Sequence, residues 1–280
     1  MNTGKATNRK YLIISTAFLL LAAVGGAYFY AEVKDTLSMV EIDRQRSHEF
    51  SRLVKPPQKI QSIPFSDIVA DWQNFVIIDV REAEEYSLGR LKGSLHYRLG
   101  ELLNSEQVRR DMIRKSDDRK RVFYCHDGDR SILAASIIER EFGGTNYVMD
   151  LGFRQIHAKD EYRKYWEGST DFLSDDWNHR KTPVMKGSDV TASTLIELSL
   201  HYRPPVRTVR GKRVIHAPIL LMSNAQINAL IASLGTEPVI ALCNSKVSCF
   251  STVIFRHRLE QHGVKLSGFV WVKERVNHNP

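Results

Sequence analysis

The chain opens on an unbroken apolar run. Residues 11–30, YLIISTAFLLLAAVGGAYFY, carry no charge and are about as long as a helix needs to be to span a bilayer. Tyr11, Tyr28, Phe29 and Tyr30 stand at its ends, where an interfacial aromatic belt belongs. Two readings fit: an uncleaved anchor, or a signal peptide with a small-residue cleavage site at Gly25-Gly26-Ala27. The length of the run and the aromatics directly after the small residues favour the anchor. Residues 31–62 are polar and broken by Pro56-Pro57, which predicts a juxtamembrane spacer.

From residue 63 the pattern changes to short apolar runs separated by stretches of helical spacing. Residues 66–72 predict a short helix with Ser66 as its N-cap, and 75–80 (FVIIDV) predict a buried strand. A helix follows over 99–113 through Leu99, Leu102, Leu103, Val108, Met112 and Ile113. Residues 121–124 then predict a strand, 132–142 a helix and 146–149 another strand. This alternation predicts an α/β domain over 63–160, a parallel sheet with helices on both faces that binds ligands at the carboxyl ends of its strands. Residues 161–187, polar and dotted with Trp166, Phe172 and Trp177, show no period and predict a linker that packs across a domain face.

Over 188–280 the order returns in weakened form. Residues 194–199 predict a strand, 211–217 a turn, 224–234 a helix, 238–243 a strand, 248–261 a helix and 265–269 a turn. Counted between the strand-end cysteines Cys125 and Cys243, the repeat is about 120 residues long, and it predicts a second domain of the same class.

Composition adds limits. A net charge of +8 spread over 280 residues suits anionic small substrates or lipid headgroups, and no aromatic-basic stripe points to nucleic acid. The three cysteines form no disulfide framework, and no Cys or His spacing suggests a metal, so neither metal nor cofactor is expected. Lys5, Arg9 and Lys10 precede the apolar run. The positive-inside rule therefore places residues 1–10 in the cytoplasm and the folded domains outside it, in the periplasm if the source is bacterial. Arg203, Arg207, Arg210, Lys212 and Arg213 surround Pro204-Pro205; this reads as a solvated loop, with an anionic membrane surface as the functional alternative.

The candidate chemistry sits between the 121–124 strand and the helix after it, in Cys125-His126-Asp127-Gly128-Asp129-Arg130-Ser131. A loop in that place points consecutive N–H groups and the positive end of a helix dipole at one spot, where a thiolate is stabilised. Gly128 permits the tight backbone path, and Arg130 brings a fixed charge.

Cys-x-x-Gly-x-Arg-Ser in this position resembles the active-site loop of rhodanese-type sulfurtransferases. Asp79-Val80-Arg81-Glu82, Glu85-Tyr86 and Gly89-Arg90-Leu91-Lys92-Gly93-Ser94 are similar to that family's other signature segments. Asp150-Leu151-Gly152-Phe153 stands at its glycine turn with one glycine replaced. The resemblance implies tandem rhodanese-like domains behind the anchor, with a Cys125 persulfide passing sulfane sulfur from thiosulfate or a persulfide donor to a thiol acceptor. It implies that Arg130 fixes a donor anion or braces the loop, and that Asp79 and Arg81 order the fold. His126 is read equally as an aid to proton transfer and as a solvent-facing loop residue.

Asp127 and Asp129 oppose a thiolate and an anionic donor, which favours a less negative donor than thiosulfate. In the second loop, Cys243 keeps its place while Ser248 replaces the arginine and the glycine is gone, so the second domain is expected to be silent or much weakened. The first loop, Cys125 to Arg130, is one residue shorter than the phosphate-surrounding loop of phosphatase cousins, which argues against phosphatase activity. The rival to an enzyme is a non-catalytic tandem module that binds a protein partner at the membrane.

Overall fold

The computed structural model describes residues 60–126, 128–150, 152, 156, 160–169, 194–198, 206–209, 212–235, 238–243 and 246–271, with 206–209, 212, 243, 246–249 and 271 described as backbone alone. The expected tail and anchor, residues 1–30, and most of the spacer lie outside these residues. Among the described residues no helix is long and apolar enough to cross a membrane.

In chain order the first half runs β1 (Gln61–Ile63), α1 (Phe65–Ala70), β2 (Phe75–Asp79), α2 (Ala83–Leu88), β3 (Gly89–Leu91), β4 (Leu95–His96), α3 (Leu99–Asn104), α4 (Glu106–Ser116), β5 (Lys120–Tyr124), α5 (Asp129–Phe142), β6 (Asn146–Met149) and β7 (Trp166–Gly168). Five of these strands form one sheet in the order β1-β6-β5-β2-β4, every pair parallel. The predicted alternation is thus met in the first half. Gln61 and Ser62, read as the end of the spacer, instead pair with Tyr147 and Val148 at the sheet edge.

A parallel sheet covered on both faces needs strands that are apolar on both sides, and β2 and β5 meet that need. Phe123 and Cys125 join Ile78 and Val80 in the cluster filled by Leu99, Leu102 and Met112 of α3 and α4 and by Leu133, Ala134 and Ile138 of α5. Val122 and Tyr124, one position out of phase, face the other way with Ile77, against Phe65 and Ile68 of α1 and against Tyr162 and Trp166. Trp166 therefore packs the beginning of the 161–187 stretch onto the first sheet, and its strand β7 pairs antiparallel with β3.

Two helix boundaries differ from expectation. Pro64 precedes α1 as its N-cap, with Ser66 already inside the helix. The single helix expected over 99–113 is two, because Ser105 leaves helical geometry and its side chain accepts the Val108 N–H, capping α4.

The second half comprises β8 (Thr194–Glu197), β9 (Val206–Val209), β10 (Lys212–His216), α6 (Asn224–Ala232), β11 (Val239–Cys243), α7 (Lys246–Gln261) and β12 (Leu266–Trp271). Its sheet has the order β12-β11-β8-β10-β9. The stretches read as turns at 211–217 and 265–269 are largely strands. Val214 and Ile215 pair parallel with Leu195 and Ile196, and Phe269 and Val270 pair with Ala241 and Leu242. This sheet is not wholly parallel. Only two residues separate β9 from β10, too few for a crossover, so the pair is antiparallel. The basic cluster accordingly lies partly on strands, with Val214 opposite Arg207 and Arg213 opposite Thr208. Among the described residues, α6 and α7 pack into one cluster with Ile196 and Ala241, rather than on opposite faces.

The halves touch through polar contacts as well as apolar ones. Leu220 joins the first sheet's core cluster, and Phe250 packs against it. Arg98 donates to the carbonyls of Met222 and Ile219, at 2.5 Å each.

The end of β2 is the polar pivot of the first half. Asp79 is fully buried and takes two donors from the Arg81 side chain, with Nη2 at 2.6 Å, and the Tyr124 hydroxyl at 2.5 Å. Arg81 Nη2 also donates to the Gly89 carbonyl at 2.7 Å, which ties β2 to β3. Burial opposes the Arg81 charge, but Asp79 and Tyr124 outweigh it and hold the guanidinium firmly protonated. Removing one member of such a pair leaves the other as a buried, uncompensated charge. Asp79→Ala is therefore expected to cost about 3–5 kcal/mol, seen as a lowered urea midpoint with tryptophan fluorescence as the probe. A midpoint equal to wild type would show that Arg81 finds another partner.

Candidate active site

The site is built at the carboxyl end of β5, where the strand stops at Tyr124 and the chain must turn into α5. Gly128 makes that turn with φ of 104°, a left-handed conformation that suits glycine, and it is the N-cap of α5. The helix begins at Asp129, two residues before the expected Ser131. The Gly128 N–H is thereby aimed back at the sulfur and donates to Cys125 Sγ at 3.1 Å. Ser131 lies one turn in; its hydroxyl donates to the Gly128 carbonyl at 2.6 Å and stands 3.7 Å from the sulfur. Cys125 itself is fully buried.

A second glycine supports the loop from below. Gly152 has φ of +52°, and a Cβ placed on it would lie 2.6 Å from the Cys125 carbonyl oxygen. The glycine kept at the Asp150–Phe153 turn thus lets the chain pass directly under the cysteine.

Arg130 is taken up by a carboxylate of α2. Its guanidinium forms a two-pronged ion pair with Glu85, Nη1 to Oε2 at 2.6 Å and Nη2 to Oε1 at 2.9 Å, and both side chains are buried. Its Cζ lies 5.6 Å from the centre of the Phe250 ring, contributed by the second half. Burial alone would push the Glu85 carboxyl up, but Arg130, its hydrogen bonds, Arg81 and the Glu82 N–H outweigh that and hold it down at about 2. Burial likewise opposes the Arg130 charge, while Glu85, with smaller contributions from Cys125 and Glu82, raises its pKa well above the ordinary value.

Glu85 is placed by a capping box. It is the third residue of α2, and its carboxylate accepts the N–H of the N-cap Glu82 at 2.9 Å. Glu82 in turn receives Arg98 Nε in a short contact and Arg258 Nη2 at 2.8 Å on the same oxygen. Burial pushes the Glu82 carboxyl above its ordinary value, with Arg98 and Arg258 pulling the other way. Glu84 takes Arg258 Nε at 2.8 Å.

Of the residues singled out from sequence, the structure brings together Cys125, Gly128, Arg130 and Ser131. His126 and Asp129 flank the sulfur loop, half-buried, and Asp127 lies outside the described residues. Asp79 and Arg81 form the buried pair beneath. Cys243 ends β11 and Ser248 lies within α7, both among the residues described as backbone alone.

Sequence reasoning missed the roles of Glu82, Glu85, Arg98 and Arg258. The Glu82-x-x-Glu85 spacing carried a capping-box signal; Arg258, 176 residues from Glu82, carried none.

This geometry meets its counterpart in the comparisons. Residues 66–159 match the rhodanese-like domain family. The matched segment of this rhodanese-like domain runs from α1 past the glycine turn at Gly152 and contains the whole Cys125 loop. No curated protein matches the chain.

Solved structures similar to it include a rhodanese-related protein from Thermoplasma volcanium, at 22% identity over 35% of this chain and 92% of that one, with a TM-score of 0.31. A human single-domain sulfurtransferase is 19% identical over 35% of this chain and 96% of its own, with a TM-score of 0.30. A yeast protein described as a tyrosine phosphatase of the rhodanese family is 19% identical over 42% and 98%, with a TM-score of 0.36.

Glu85→Gln keeps the shape of the pair and removes its negative charge, so Arg130 is left charged and buried. A loss of about 3 kcal/mol or more is expected at neutral pH. Because the Glu85 pKa is lowered on folding, its contribution is full above the ordinary carboxylate range and is lost as pH falls toward about 2. Urea denaturation across the acid range should therefore show a steeper fall in stability for wild type than for Glu85→Gln. Parallel acid limbs would show that the pair contributes nothing.

Proposed function

We propose that the rhodanese-like domain is the catalytic part of a sulfurtransferase in which Cys125 carries sulfane sulfur. The observation that supports this best is the hydrogen bond from the Gly128 N–H to Cys125 Sγ at the first turn of α5. A thiolate, or the terminal sulfur of a persulfide, gains from such a donor and from the positive end of the helix dipole. In the first step the Cys125 thiolate attacks the outer sulfur of thiosulfate or of a persulfide. The donor S–S bond breaks, and sulfite or a thiolate leaves with the bonding electron pair. In the second step an acceptor thiolate attacks the terminal sulfur of the Cys125 persulfide and releases Cys125 as thiolate. No oxidant and no metal enters this cycle.

Arg130 serves as a brace in this reading, since Glu85 already occupies both prongs of its guanidinium. With that charge matched and Asp129 at the rim, a weakly charged or neutral persulfide suits the site better than thiosulfate. The second half is taken as a degenerate copy. Its strands β12-β11-β8-β10 follow the same order as β6-β5-β2-β4, but its loop lacks the glycine and the arginine. Residues 11–30 would hold the protein in a membrane with the first ten residues in the cytoplasm.

The full burial of Cys125 favours a second reading, a non-catalytic module that binds a protein partner at the membrane. Intact-protein mass spectrometry separates the two. After incubation with glutathione persulfide, one sulfur is expected on wild type and none at this position on Cys125→Ser, with slower loading from thiosulfate. Absence of added sulfur from either donor, in folded and reduced protein, would overturn the sulfur-transfer reading. Faster loading from thiosulfate would overturn the donor preference.

A further inference from the structure

Besides Phe250, which packs over Arg130, the second half reaches the surroundings of the Cys125 site through Arg258. Arg258 lies on α7, is nearly buried, and is spread over two carboxylates of the first half. Nη2 meets Glu82 Oε2 at 2.8 Å, Nε meets Glu84 Oε1 at 2.8 Å, and Nη1 meets Asn224 Oδ1 at 3.1 Å. Glu82 and Glu84 flank the start of α2, whose next residue is Glu85. Three carboxylates of one helix turn thus face three guanidinium groups, from Arg98, Arg258 and the loop's own Arg130.

We propose that Arg258 is a positioning residue for the Cys125 site, acting through Glu82 and Glu84 on the helix whose Glu85 holds Arg130. Two observations separate this from simple adhesion between the halves. Adhesion has its own contacts. Arg98 holds the carbonyls of Met222 and Ile219, Asn104 Nδ2 donates to the Leu221 carbonyl at 2.7 Å, and the Asn224 N–H donates to Glu101 at 2.6 Å. Arg98 and Asn104 make theirs with no atom of Arg258, whereas Asn224 also takes Arg258 Nη1 on its side chain.

The second observation is that Glu82 receives both of its arginines on one oxygen. Among the described residues its other oxygen, Oε1, has no hydrogen-bond partner. Loss of Arg258 would leave a fully buried carboxylate held on one side alone, with Arg130 as a neighbouring cation for it to compete over. That competition would move Arg130, the second residue of α5, and with it the Gly128 N–H aimed at the sulfur. It would also leave the site one positive charge poorer, which disfavours a thiolate.

The activity readout rests on the sulfur-transfer reading; a second readout does not. In the full chain at one neutral pH, Arg258→Ala is expected to lower kcat for sulfur transfer from glutathione persulfide roughly three- to tenfold with little change in KM, the scale seen for residues that act through packed networks. The ultraviolet thiolate absorbance of Cys125, taken as the difference from Cys125→Ser, should fall as well. Among the described residues, the Gly128 N–H and the Ser131 hydroxyl lie against this sulfur, and the Arg130 charge acts on it. Arg258→Lys should recover the thiolate absorbance but only part of kcat, since one ammonium cannot span both carboxylates.

Should Arg258→Ala fail to fold, Glu84→Gln, which frees one arm of Arg258, is expected to show a smaller fall in kcat. Wild-type kcat and thiolate absorbance in folded Arg258→Ala, with a lowered melting temperature alone, would overturn the proposal. A wild-type protein that takes up no sulfur would overturn the sulfur-transfer reading instead, and the thiolate absorbance would still decide the role of Arg258.

Discussion

The buried ion pair between Glu85 and Arg130 is the constraint on which the site depends. Two ions in a water-free place cost several kcal/mol each in lost hydration, and only close two-pronged geometry offsets that. Here the geometry is built before the partners meet. Glu85 is fixed by the capping box of α2, and Arg130 is fixed because it is the second residue of α5. An apolar pair of similar volume would fill the same space without setting the rotation of α5. The salt bridge sets it, and so decides where the first N–H groups of that helix point.

The same pair settles the electrostatics around the sulfur. An arginine beside a cysteine would ordinarily draw anions into the site, but this one is already neutralised at 2.6 and 2.9 Å. The Gly128 N–H at 3.1 Å and the aligned peptides behind it add a dipolar contribution at Cys125. Dipoles of that kind stabilise charge that develops on the sulfur and give little long-range attraction to a charged donor. A fully buried thiol in these surroundings therefore exerts little long-range pull on anions.

Much of this was readable from the chain because much of it is local. The strand alternation that sorts Phe123 and Cys125 to one face and Val122 and Tyr124 to the other follows from a period of two, and the Cys125 turn follows from Gly128. The misreadings have equally physical causes. Residues 211–217 and 265–269 match turns of the first half in the repeat, yet Val214, Ile215, Phe269 and Val270 are strand-forming and pair with their neighbours. Ser105 interrupts a continuous helical period because its capping bond to Val108 outweighs one more turn of helix. Arg98 and Arg258 were invisible for another reason. A surface arginine and one that pairs with a buried glutamate 16 or 176 residues away look alike in sequence, and only tertiary packing tells them apart.

Packing also explains what the second half contributes to the first. α7 follows β11 as α5 follows β5, and it is α7 that lends Phe250 and Arg258 to the first half. This helix packs Phe250 against the first half's core, and its Arg258 matches one fully buried carboxylate, Glu82, and one half-buried one, Glu84. That helix is thereby committed, through Arg258, to the opposite half.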